Sequence, residues 1–204
     1  MKQKLIVLGM ALLSPFGVAP NRNACAQSNE KRFEVGAQFV YMRQSSKDEI
    51  IHFRDLGVGG RFTFNIMKAV DLEAEMNFLP QERDALGLGR KTQGLFGVKA
   101  GLRRNSFGLF AKLRPGFMRF SRVFDCPGDV SSCHEGAKTE FALDAGGVVE
   151  FYPSRRITLR VDAGDTIIHF GERSFFEELP VGKETRPGIT THNLQLNAGI
   201  GFRF

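Results

Sequence analysis

The chain has 204 residues with a formal charge of +6, no Trp, two Tyr, 20 Phe and 23 Gly. The excess of charge is partly carried by the first residues. Cutting before Gln27 removes Lys2, Lys4 and Arg22 and no acid, which leaves +3 and gives a nucleic-acid partner no support. No stretch after that point has the unbroken run of about 20 apolar residues that a membrane helix needs.

Met1-Lys-Gln-Lys4 is a short basic start, and Leu5 to Ala19 is an apolar run broken only by Gly, Ser and Pro. Ala24-Cys25-Ala26 supplies the small residues a signal peptidase reads, so residues 1–26 are expected to be a signal peptide and 27–204 a single domain of about 178 residues. The apolar run is short for a membrane anchor. Arg22 stands where a lipoprotein signal wants an aliphatic residue. The cut also removes Cys25 and leaves Cys126 and Cys133 close together in one loop. In an exported chain such a pair is expected to form a disulfide. His134 is adjacent, but no fourth ligand stands at zinc-like spacing, so neither a metal nor a cofactor is expected.

The remaining chain alternates with period two, which puts successive side chains on opposite faces of a strand. The first strand, about Arg32 to Tyr41, sets Phe33, Val35, Ala37, Phe39 and Tyr41 against Glu34, Gly36 and Gln38. The second, about Leu56 to Ile66, sets Val58, Phe62, Phe64 and Ile66 against Arg61, Thr63 and Asn65. In the third, Leu72, Ala74, Met76 and Phe78 oppose Glu73, Glu75 and Asn77. The fourth places Phe96, Val98, Ala100 and Leu102 opposite Gly97, Lys99, Gly101 and Arg103. The fifth begins with Phe107, Leu109, Ala111 and Leu113 opposite Gly108, Phe110, Lys112 and Arg114. Pro115-Gly116 then predicts a bulge or a bend, because proline cannot donate to a ladder. The sixth sets Phe141, Leu143, Ala145, Gly147, Val149 and Phe151 against Asp144, Gly146, Val148, Glu150 and Tyr152. The seventh sets Ile157, Leu159, Val161 and Ala163 against Thr158, Arg160, Asp162 and Gly164. The eighth, Asn193 to Phe204, is the most regular: Leu194, Leu196, Ala198, Ile200, Phe202 and Phe204 alternate with Asn193, Gln195, Asn197, Gly199, Gly201 and Arg203.

Connections sort by length. Short ones are expected at 67–71, 103–106 and 153–156, and long ones at 44–55, 80–92, 121–138 and 169–190. Strands of about 9 to 12 residues with this alternation of short turns and long loops predict an all-β, eight-stranded antiparallel up-and-down barrel that crosses a bilayer. Closure of the last strand on the first is required, because lipid offers no partner to a free backbone edge. A soluble barrel would put the apolar face inside, but an eight-stranded interior is only just wide enough for side chains and has no room for so many Phe rings. The opposite face would then line the lumen with Glu34, Arg61, Glu73, Glu75, Lys99, Arg103, Lys112, Arg114, Asp144, Glu150, Arg160, Asp162 and Arg203. Six acids and seven bases at such close quarters predict an ion-pair network, since an unpaired buried charge is costly.

The signal peptide, the eight amphipathic strands and the terminal Gly201-Phe202-Arg203-Phe204 resemble the small outer-membrane barrels of Gram-negative bacteria, of the OmpA transmembrane domain and OmpX type. The resemblance covers the whole mature chain and rests on architecture and the final strand. It implies a cell outer-membrane location and contact with outer-membrane lipid. It also implies that Phe202 and Phe204 form a signal read by the barrel-assembly machinery, with periplasmic chaperones as further transient partners. No peptidoglycan-binding domain follows the last strand, so no cell-wall tether is expected. The functional expectation is a structural or surface-interaction role through the long loops, where Ser174 to Leu179 forms an apolar patch between charges; a narrow ion or small-solute channel is the alternative. No residue pattern names a ligand for the loops. An enzyme is not expected: His52, His134, His169 and His192 lie in loops or at strand tops, and no serine accompanies His192 on its face.

Overall fold

The computed structural model describes residues 31–45, 52–81, 89–125, 134–171, 173–177, 182–186 and 188–204. Among the described residues ten strands form: β1 Phe33–Ser45, β2 His52–Met67, β3 Val70–Leu79, β4 Lys91–Arg103, β5 Phe107–Asp125, β6 His134–Phe151, β7 Ile157–Phe170, β8 Arg173–Glu177, β9 Gly182–Arg186 and β10 Ile189–Arg203. Eight of them close into an antiparallel barrel in the order β1-β10-β7-β6-β5-β4-β3-β2. The seam pairs β1 with β10 from Glu34↔Arg203 to Gln44↔Asn193. Beyond it, Phe204 donates its N–H to the Phe33 carbonyl at 2.9 Å. Closure leaves no open edge, which is the condition a barrel must meet in lipid.

The strand faces are those the alternation predicts, but the strands run further. β5 has 19 residues, β6 has 18 and β2 has 16, all longer than the expected 9 to 12. The growth is at the long-loop end. Asp55 and Lys91, read from the sequence as loop residues, therefore lie in β2 and β4. The last long connection also carries its own hairpin, β8 paired with β9, which takes in Ser174–Glu177 of the apolar patch. Cys126, Cys133 and the expected signal peptide lie outside the described residues; Asp125 and His134, which flank the cysteines, are register partners.

Of the bulge or bend expected at Pro115-Gly116, the bulge does not form. The β4–β5 register is the same on both sides, with Leu95↔Gly116 above and Val98↔Leu113 below, and only the rungs between them are missing. Pro115 lacks the N–H that would point at Phe96, so the ladder loses a rung and not its register. On the other edge Pro115 pairs with Leu143 without a break. The parity holds through the site: Phe117 and Arg119 face out, Met118 and Phe120 face in. The shift in β5 falls later, between Phe120 and Val123.

Polarity is inverted relative to a water-soluble domain. Phe39 is 74% exposed, and Phe96, Leu102, Phe141 and Val161 are exposed with it on the outer face. The interior holds Glu73, Lys99, Arg114 and Arg160, each almost wholly buried. A contiguous apolar exterior of this extent has no place in water, where exposed patches are kept to a few hundred Å².

Candidate functional site

The lumen is the most elaborate chemical environment in the molecule, and it is built in layers. At the short-turn end lies an aromatic base. Phe110 and Tyr152 are buried, the Lys99 ammonium is 4.8 Å from the Phe110 ring, and the Arg203 guanidinium is 4.1 Å from the Tyr152 ring. Such cation–π contacts keep a charge company where water is scarce.

Above it stands the charged layer. Glu73 is its hub: Lys99 lies 3.2 Å away, Arg114 3.4 Å, and Arg160 makes two bonds to its carboxylate. Lys99 also pairs with Glu150 and lies 3.4 Å from Asp71. Arg114 reaches Glu75 at 2.5 Å and Asp144 at 2.6 Å. Lys112 bridges Asp162 at 2.6 Å and Asp144 at 3.0 Å, and Arg160 lies 3.0 Å from Asp162. Near the turn end Glu34 accepts from Arg61 at 3.1 Å, Arg203 at 2.9 Å and Thr158 at 2.8 Å, while Arg103 holds Asp71 at 2.6 Å. The structure thus places all thirteen lumen residues named from the sequence inside the barrel and brings them into contact. Inward glycines make the room: a Cβ on Gly201 would collide with the Glu34 carboxylate.

The next layer is neutral. Gln38 donates to Asn77 at 2.9 Å, Asn77 to Gln93 at 2.7 Å, Gln93 to Gln195 at 2.9 Å and Gln195 to Asn197 at 3.2 Å. This amide chain crosses from β1 to β10 through the middle of the barrel. At the long-loop end an apolar plug closes the lumen: Met42, Leu79, Met118, Phe120, Ala142 and Ile168 pack together, with Val123 and Phe170 against them. Among the described residues, ion pairs are set at the level of the plug: Lys91 to Asp55 at 2.5 Å, with both side chains at most 1% exposed, and Lys138 to Glu140 at 3.1 Å.

The sequence reading missed Asp55, Asp71, Lys91 and Glu140 as buried charges, and it did not foresee the plug. Asp71 carries the inward parity of Glu73 and was findable. Met42, Leu79 and Ile168 also lie on the inward parity, but an apolar residue on a polar face reads as noise when taken alone.

On the outer face near the loops, His192 contacts Asp165 at 2.6 Å and His169 contacts Thr190 at 3.1 Å. All four are solvent-accessible. A groove of about 520 Å³ also opens on the outer face, where Gly60, Ala74 and Gly94 alternate with Phe62, Met76 and Phe96.

An antiparallel barrel of eight strands with an apolar outside and a filled, ion-paired inside defines the class. Neither a family model nor a curated protein matches the sequence. Solved structures do match in fold. Neisserial surface protein A (NspA) is similar at a TM-score of 0.58 and 14% identity, over 84% of this chain and 97% of that one. Ail, the attachment invasion locus protein of Yersinia pestis, is similar at 0.51 and 14%, over 86% and 99%. Ail in complex with the heparin analogue sucrose octasulfate gives 0.51 and 13% over the same shares. The chain therefore has the fold of the small eight-stranded outer-membrane barrels.

Proposed function

We propose that the protein spans the outer membrane of a Gram-negative cell as a closed barrel and works through the long loops it displays. The observation that carries the reading is the inversion of polarity: exposed Phe, Leu, Val and Ile encircle the outside while charged side chains pair within. In lipid the outer face needs no cover and the inner one needs its ion pairs. The short turns then face the periplasm and the long loops face outward. The likeness in fold to Ail, whose name is that of an attachment and invasion protein, supports a surface-interaction role. Phe202 and Phe204 serve as the signal for the assembly machinery, with periplasmic chaperones acting before insertion.

The test is heat-modifiability on a gel combined with proteinase treatment of whole cells. A folded barrel migrates faster before boiling than after, and external protease cuts in the loop segments only. A chain that does not shift on boiling, or that is untouched in intact cells but cut in lysed ones, would end the proposal.

The channel reading draws support from the polar lumen. Against it stand the amide layer, the plug and the aromatic base, which occupy the path in series.

A further inference from the structure

Among the described residues, the exposed charged side chains at the short-turn end of the barrel are all basic. Lys68 sits in the β2–β3 turn, Arg104 in the β4–β5 turn, and Arg155 and Arg156 in the β6–β7 turn; Lys31 and Arg32 lead into β1. Arg32, Lys68, Arg104, Arg155 and Arg156 are exposed. Lys31 is half-buried, donates to the Arg203 carbonyl at 3.1 Å and lies 6.0 Å from the Phe202 ring. Among the described residues no Asp or Glu side chain is exposed at this end. The nearest carboxylates, Glu34, Asp71 and Glu150, are buried in the lumen and paired there. The long-loop segments differ: they hold Asp48, Glu49, Glu82, Asp84, Asp129, Glu172, Glu177, Glu178 and Glu184 among their bases.

The height of these cations is fixed by their neighbours. Exposed Met67 precedes Lys68, Leu102 stands two residues before Arg104, Ile157 follows Arg156 and Phe33 follows Arg32. The connections are too short to carry a side chain away from the apolar belt. Long basic side chains in that position lie with their stems along apolar surface and their heads among the lipid headgroups.

We infer that this end is a docking rim for anionic phospholipid headgroups of the leaflet it faces. The inference rests on the membrane-spanning reading above. Phosphate is the complementary charge, and it is the one present at the height where the cations are held. A basic cluster at a membrane surface attracts anionic lipid, and the attraction weakens with salt.

The test uses the full mature barrel in phosphatidylcholine nanodiscs that carry either spin-labelled phosphatidylglycerol or spin-labelled phosphatidylcholine. Electron spin resonance reads the motionally restricted lipid at the barrel surface. The expected result is an association constant for phosphatidylglycerol on the order of fivefold above that for phosphatidylcholine, falling at high salt. The variant Lys68→Gln/Arg104→Gln/Arg155→Gln/Arg156→Gln should bring the ratio to about one. It changes only exposed side chains, and the β6–β7 turn is held by backbone N–H groups of Arg156 and Ile157 donating to the Ser154 hydroxyl at 3.3 and 3.2 Å. The variant Arg43→Gln/Arg119→Gln, which removes exposed cations at the loop end, should keep the selectivity. Equal association of both lipids with the native barrel, selectivity that survives the fourfold variant, or selectivity lost in the loop-end variant instead would each overturn the rim. Heat-modifiability in the same nanodiscs reports separately whether the barrel is folded in the bilayer. A chain that fails that control overturns the membrane reading and the rim with it.

Discussion

Lys91 and Asp55 meet at 2.5 Å, shut away from solvent, beside Met42, Leu79 and Phe120, their partners across the sheet. A pair in that position contributes little net stability, because desolvation offsets most of the attraction. Breaking it is another matter. Lys91→Met takes one cation from the buried Asp55 carboxylate, and the expected loss is about 3 kcal/mol. Replacing both partners, as in Lys91→Met/Asp55→Leu, should recover most of that loss. Urea unfolding of the vesicle-embedded barrel measures it through the midpoint and slope. A single variant as costly as the double would show that the two side chains do not act as a pair. Neither residue stood out in the sequence. Phe53-Arg54-Asp55 and Arg90-Lys91-Thr92 read as polar loop, since alternation fades where strands leave the membrane and both faces can be wet. By contrast Glu73, Lys99 and Arg114 were legible. Each stands on a face opposite large apolar residues, and a charge there has only the lumen to enter.

At the scale of the strand, β5 shows what a proline costs a ladder. Pro115 removes rungs toward β4, and the two strands nevertheless keep register because they come together closely just above it. Gly116 makes that approach possible: a Cβ there would collide with the Gly94 carbonyl. Gly116→Val is therefore expected to lose about 1–3 kcal/mol, as overpacking usually does. Gly60 looks alike in sequence and differs in space, since a Cβ on it would find only the Gly36 carbonyl at 3.9 Å. Gly60→Val should stay within about 0.5 kcal/mol of the native protein. Denaturant midpoints of the two variants, measured side by side, check the contrast; equal losses would mean that the close approach is not what fixes the register. The sequence placed the strands and their faces because each face meets one medium, lipid or lumen. It could not place the strand ends, the β8–β9 hairpin or the missing bulge. Those depend on which backbone groups find partners across the sheet, and period-two alternation carries no record of that.

Across the whole molecule, closure depends on the last residues. Phe204 donates to the Phe33 carbonyl at 2.9 Å, accepts from the Phe33 N–H at 3.4 Å, and stacks on the Phe33 ring at 6.0 Å. Deleting it would remove backbone bonds at the seam as well as the ring, so deletion cannot separate stability from assembly. Phe204→Ala can. The backbone bonds stay, the ring contact is lost, and folded stability should fall by only about 0.5–1.5 kcal/mol. If the ring is the assembly signal, the heat-modifiable fraction in the outer membrane should fall much further than that loss accounts for. Native-level insertion of the variant in cells would remove Phe204 from the signal.

The filled lumen argues for a closed barrel over a channel. The lumen holds two different barriers in series. The plug of Met42, Leu79, Met118, Phe120, Ala142 and Ile168 sets packed apolar side chains across the path, and the layer of Glu73, Arg114 and Arg160 offers no space. An eight-stranded interior is filled by side chains of this size. Barriers in series give a sharp expectation: opening one leaves the other shut. Purified native protein should show no stable conductance in planar bilayers. Met118→Ala/Phe120→Ala, which thins the plug, should stay silent because the charged layer persists. Arg114→Ala/Arg160→Ala should stay silent because the plug persists. Only the combination should conduct, and heat-modifiability of each variant establishes that the barrel is still folded. Stable conductance from the native protein would favour the channel, while conductance from either double variant alone would show that a single layer holds the lumen closed.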